Sequence, residues 1–170
     1  MLIAAIVALQ CALIAVGFYC VRWVPKWCCI VVIRNGATLR LTDGLNFLIP
    51  FIDKVVCSVC FKEENVLMCS FNDEDGEQFY LYGGFEAIDK DAVGPEFKET
   101  ISDDLPKESA EGIKKALKTL GADLASGPKE RAEVARKAQE FAQEVMKSKN
   151  VRLSGFRIVT EKDSDKRDPF

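Results

Sequence analysis

The chain has 170 residues, with 23 Lys and Arg against 26 Asp and Glu for a formal net charge of −3, and 48% hydrophobic beside 29% charged residues. That balance suits one globular domain with an apolar extension and excludes a disordered polymer. There are seven cysteines and no histidine, which excludes a His-based catalytic triad and a mixed Cys/His zinc site.

Charge is unevenly spread. Residues 1–60 carry five basic side chains (Arg22, Lys26, Arg34, Arg40, Lys54) against two acidic ones (Asp43, Asp53), and the remainder 18 against 24. The distal part is too acidic for a nucleic-acid partner, whereas the basic part would be drawn to anionic headgroups.

Residues 1–21 contain no charged side chain, and Gln10 is their only strongly polar one. As a helix they would span about 31 Å, which matches the roughly 30 Å of a bilayer's hydrocarbon core. The segment lacks the basic start and small-residue cleavage site of a secretory signal, so residues 1–23 are predicted to be a retained transmembrane or membrane-embedded anchor. Arg22 and Lys26, flanked by Trp23 and Trp27, read as interface anchors, with Pro25 ending the helix. The positive-inside rule then turns the globular part toward the cytoplasm or an equivalent compartment.

Residues 28–33 are β-branched and apolar, and 37–42 alternate, so the Asn35-Gly36 pair between them predicts an antiparallel hairpin. A Gly44-led loop follows, in which Pro50 forbids a regular helix or a central strand. Leu45, Phe47, Leu48, Ile49, Phe51 and Ile52 make it too apolar for a solvated connection. It must lie against a core, a bilayer surface or a partner.

Residues 55–61 and 65–71 read as further strands, and the polar turn at 72–76 leads into a strand over 78–88. The Gly83-Gly84 pair weakens that strand or marks a bulge. Four to six strands thus precede any soluble helix, an order that suits an α+β domain.

The second half turns helical. Pro95 starts a short segment stopped before Pro106, and Ser109 is a plausible cap for a helix that buries Ile113, Ala116, Leu117, Leu120 and Leu124. Gly127-Pro128 opens the longest soluble helix, over 129–149, with Val134, Ala138, Phe141, Ala142 and Val145 inward. A last strand over 152–160 alternates imperfectly about Gly155, and the charged tail at 161–170 reads as frayed.

The run Gly44-Leu45-Asn46-Phe47-Leu48-Ile49-Pro50-Phe51-Ile52-Asp53-Lys54-Val55, behind a strand and just after an apolar helix, resembles the opening of the SPFH domain shared by stomatins, prohibitins, flotillins and the HflK/HflC proteins. The later order is similar too. Ile88-Asp89-Lys90-Asp91-Ala92 resembles the family's acidic strand end before a short helix, and Leu120-Gly121-Ala122-Asp123-Leu124 its Leu-Gly turn.

The resemblance implies an SPFH domain over residues 24–160, an antiparallel sheet of about four to six strands packed with two to three helices. It also implies a non-catalytic, membrane-anchored scaffold that organises lipids or partner membrane proteins, as a homo- or hetero-oligomer. Its membrane, single-pass or monotopic, would be the mitochondrial inner membrane or the plasma membrane. Asp43 stands where the family usually has Pro, and the long Ala/Glu-rich coiled coil that normally follows the last strand is missing. The second departure keeps an alternative open, an accessory structural subunit of a large membrane complex, such as a respiratory or energy-transducing one.

The residues expected to meet the membrane are Arg22, Trp23, Lys26, Trp27, Leu45, Phe47, Leu48, Ile49, Pro50, Phe51 and Ile52. Cys20, Cys28 and Cys29 bracket the expected interface, where reversible palmitoylation reaches thiols. Structural thiols are the equal alternative. Cys57-Ser58-Val59-Cys60 spells a Cys-x-x-Cys pair, yet on a strand positions i and i+3 face opposite ways, which defeats chelation. The odd cysteine count and its crowding into the first seventy residues argue against a disulfide scaffold.

The acidic clusters lack calcium-loop spacing, and no phosphate loop, serine elbow or paired-carboxylate frame appears. No enzymatic activity, cofactor or metal is expected.

Overall fold

The computed structural model describes residues 2–73 and 76–160, and only the backbone at Leu2, Ala4, Ala5, Ala8, Ala12, Leu13, Val16 and Phe18. The charged tail and part of the polar turn at 72–76 therefore lie outside the described residues. The chain divides into two compact units, Met1–Cys60 and Phe61–Phe170.

In the first unit, helix α1 (Leu2–Cys20, 19 residues) leads directly into strand β1 (Val21–Val24). The helix stops there because Val21, Trp23 and Val24 are β-branched or aromatic and pair antiparallel with β4 (Gly44–Phe47), while the Leu48 N–H donates to the orphan Cys20 carbonyl at 2.7 Å. The expected anchor over residues 1–23 is thereby corrected. Among the described residues, no helix is long and apolar enough to cross a membrane. The helical residues end before Val21, Arg22 and Trp23, which the anchor reading had counted. The transmembrane element of the expected fold, and the single-pass or monotopic localisation built on it, are withdrawn.

Strand β2 (Cys28–Arg34) pairs antiparallel with β3 (Ala37–Leu41) through the predicted Asn35-Gly36 turn, both residues at positive φ (51° and 82°). On its other side β2 pairs with β5 (Asp53–Cys60). A register shift between Val31 and Val32 breaks the in–out alternation, so these neighbours are both buried, and with Val24, Cys29 and Val59 they form the small core.

The second unit is α+β. Strands β6 (Lys62–Asn72), β7 (Gln78–Ala87) and β8 (Val151–Thr160) form an antiparallel sheet in that order. Phe79, Leu81 and Phe85 of β7 are buried with Leu153, Phe156 and Ile158 of β8. The pairing slips at the Gly83-Gly84 pair, where a Cβ on Gly83 would come within 2.5 Å of the Phe156 ring.

Helix α2 (Pro95–Glu99) continues through a π turn (Thr100–Asp104) into α3 (Leu105–Leu120), and α4 (Pro128–Lys147) packs against α3 and β8. The expected break before Pro106 is absent. A regular helix would leave the Pro106 ring against the preceding turn; the wider π turn, closed by the Leu105 N–H donating to the Thr100 carbonyl, accommodates it. Ser109 is accordingly no cap but a buried residue inside α3. The single sheet of four to six strands is also corrected. The described strands form one sheet of two and two of three, because β1 takes β4 as its partner instead of extending the hairpin sheet.

Candidate functional site

Strand alternation decides which side chains of the β1–β4 ribbon meet. Val21 lies opposite Phe47 and Trp23 opposite Leu45, so these four share one face, while Arg22, opposite Asn46, points to the other. Trp23 is 71% exposed, Leu45 70% and Phe47 61%. Large aromatic and aliphatic groups thus stand in solvent on a paired strand, where burial would ordinarily be favourable.

The segment after β4 is held by a bidentate ion pair. Arg34, at the end of β2, donates from Nε to Asp53 Oδ1 and from Nη2 to Oδ2, each at 2.6 Å, and its Nη2 also reaches the Phe47 carbonyl at 3.3 Å. The Asp53 carboxylate, only 1% exposed, additionally accepts from the Ile49 N–H at 2.7 Å, while the Asp53 N–H donates to the Ile49 carbonyl at 2.9 Å. These bonds favour the ionised form. The Arg34 guanidinium above all, aided by the Ile49 N–H, holds the Asp53 carboxyl down to about 2, and Arg34 is raised in turn.

The closed turn carries Phe51 at its apex with φ of 65° and a fully exposed ring. A bulky residue in the left-handed region is strained, and the bonds on either side impose it.

Between the end of α1 and this turn lies a cavity of about 590 Å³, walled by Ala15, Leu48, Ile49, Pro50 and Phe51, with Tyr19, Arg22 and Asp53 as its polar groups. A second, shallower hollow of about 300 Å³ is lined by Ile14, Gly17, Val21 and Phe47.

Of the residues singled out from sequence, Trp23, Leu45 and Phe47 come together on the ribbon face, and Arg22, Leu48, Ile49, Pro50 and Phe51 around the cavity. Ile52 is exposed beside Phe51. Trp27 sits at positive φ in the turn between β1 and β2, with the Lys26 ammonium 5.1 Å from its ring centroid. Arg34, Asp53 and Tyr19 were missed as site residues. Arg34 and Asp53 are register partners across β2 and β5 and lie 19 positions apart, so only knowledge of that pairing would have joined them.

Cys28 is disulfide-bonded to Cys60, its register partner. The expectation of unbridged cysteines is corrected to that extent, and Cys28 offers a thiol for acylation only when reduced. Cys20 and Cys29 are buried free thiols. Burial pushes the Cys29 thiol up, Arg40 opposes this, and Cys57 adds to it. Among the described residues no three Cys, Asp or Glu side chains gather as a metal-binding group. No protein-family model matches the chain, and no curated protein matches it.

Proposed function

We propose that the chain is a non-catalytic interaction module of SPFH type, whose first unit organises lipids or partner proteins by direct apolar contact. One observation carries this reading. Among the described residues, every exposed large hydrophobic side chain except Leu67 and Ile88 belongs to the first unit. A single exposed leucine is ordinary; Trp23, Leu45 and Phe47 together on one face of the β1–β4 ribbon, with a strained and fully exposed Phe51 on the turn that follows, mark surfaces made to be covered. The twelve-residue string from Gly44 to Val55 and the order of the later elements support the SPFH assignment.

The experiment is purification of the tagged full-length chain in mild detergent, beside a Trp23→Ser/Phe47→Ser variant. Both side chains are solvent-exposed, so the variant keeps the fold. Loss of co-purifying lipid or protein from the variant is the expected result. Identical recovery with both chains would overturn the proposal. On native gels a ladder of the chain with itself marks a scaffold, and one heterogeneous band marks a fixed subunit.

A further inference from the structure

We propose that the cavity between the end of α1 and the Ile49–Asp53 turn binds a free, single-chain anionic amphiphile, a long-chain carboxylate held by Arg22. This rests on the reading of the first unit as an interaction module and names its ligand.

Three observations converge. The cavity of about 590 Å³ falls within the roughly 300–1,000 Å³ of small-molecule sites and has the mostly apolar wall with few polar groups that such sites share. The backbone that carries Leu48, Ile49, Pro50 and Phe51 along its wall is held by the Asp53 bonds and by the Leu48 bond to the helix end. The ligand would therefore meet a preformed site, which lessens the ordering cost of binding.

The charge balance selects the headgroup. Asp53 is matched by Arg34 in both of its oxygens, whereas Arg22 makes no ion pair among the described residues. One uncompensated positive charge is left beside an apolar cavity, and it also lies just past the carbonyl end of α1, where a cation is already favoured. A monoanion with an aliphatic tail satisfies both features at once: a guanidinium binds a carboxylate in bidentate fashion, and the tail covers the apolar walls. A cationic amphiphile would face Arg22 directly. A dianion would carry one charge too many against Asp53.

The test titrates the full-length chain with hexadecanoate below the concentration at which it aggregates, followed through Trp23 and Trp27 emission, with hexadecanol and hexadecyltrimethylammonium as comparison probes. One hexadecanoate should bind per chain. Arg22→Gln should weaken that binding about tenfold while leaving hexadecanol unchanged, and Arg22→Lys should restore most of it. Equal binding by Arg22→Gln, or equal affinity for the ammonium probe, would overturn the proposal, as would uptake of hexadecanoate only when it is presented in vesicles. Arg22 points away from the Trp23 and Phe47 face. Thus a chain that loses co-purifying partners through Trp23→Ser/Phe47→Ser yet ignores hexadecanoate refutes the ligand and spares the interaction module. A chain with unchanged partners that binds hexadecanoate does the reverse.

Discussion

Asp53 shows how one carboxylate shapes an exposed surface. Its carboxylate accepts from the turn backbone at Ile49 and from the Arg34 guanidinium together, and Phe51 is carried between those anchors. Because its carboxyl is lowered from the usual 3.8 to about 2, the folded state holds the proton less tightly than the unfolded chain. The stability it contributes is complete above about pH 4 and is lost as pH falls from there toward 2. Both tryptophans of the chain, Trp23 and Trp27, report on this unit. Acid titration of their emission should show a transition in that window for the native chain, and Asp53→Asn should be destabilised at neutral pH and lose that pH dependence. None of this pairing was legible from spacing. Arg34 reads as the last residue before a turn and Asp53 as the end of an apolar run, and only the β2–β5 register brings them face to face.

The elements of the second half follow their apolar periodicity closely, and their departures have local causes. The π turn before Pro106 is one. Another is the approach of α3 to α4 at Gly112, where a Cβ would stand 2.7 Å from the Ala138 carbonyl oxygen. That oxygen is backbone and cannot step aside, so Gly112→Ala should cost about 1–3 kcal/mol in denaturant unfolding even though alanine has the higher helix propensity.

The edge of β8 is closed by α4. Gln139 and Gln143, one turn apart, each exchange donor and acceptor with the strand, Gln143 donating to the Val151 carbonyl at 2.9 Å and accepting from the Leu153 N–H, and Gln139 donating to the Leu153 carbonyl and accepting from the Phe156 N–H. Such a pair occupies backbone groups that would otherwise be open to another strand. The helix pattern foretold the buried Val134, Ala138 and Ala142, but glutamines on a helix look solvent-facing until a strand edge is known to lie beneath them.

At the scale of the molecule, the two units are built differently. The second has long strands and two packed helices around buried Phe79, Leu81, Leu105, Val134 and Met146, whereas the first has a thin core and a disulfide closing a segment of 32 residues between Cys28 and Cys60. In the chain-entropy account a loop of that length is worth on the order of 3–4 kcal/mol. Replacing Cys28 and Cys60 by Ser should therefore lower hydrogen-exchange protection of amides in β2, β3 and β5, while β6, β7 and β8 keep theirs.

Local pattern alone determined the hairpin at Asn35-Gly36, the helices after Gly94 and Gly127, the final strand and the α+β class, because each rests on near-neighbour chemistry: a turn that needs positive φ, an apolar stripe of helical period, a proline at a helix start. It also picked out Leu45, Phe47, Leu48, Ile49, Phe51 and Ile52 as too apolar for a solvated connection. What only the tertiary structure decided were contacts between residues distant in the chain: that β1 pairs with β4 and ends the first helix at Cys20, that Arg34 clamps Asp53, and that Cys28 meets Cys60. Strand partnership depends on which edges find each other, and nothing in the spacing of one strand specifies its neighbour.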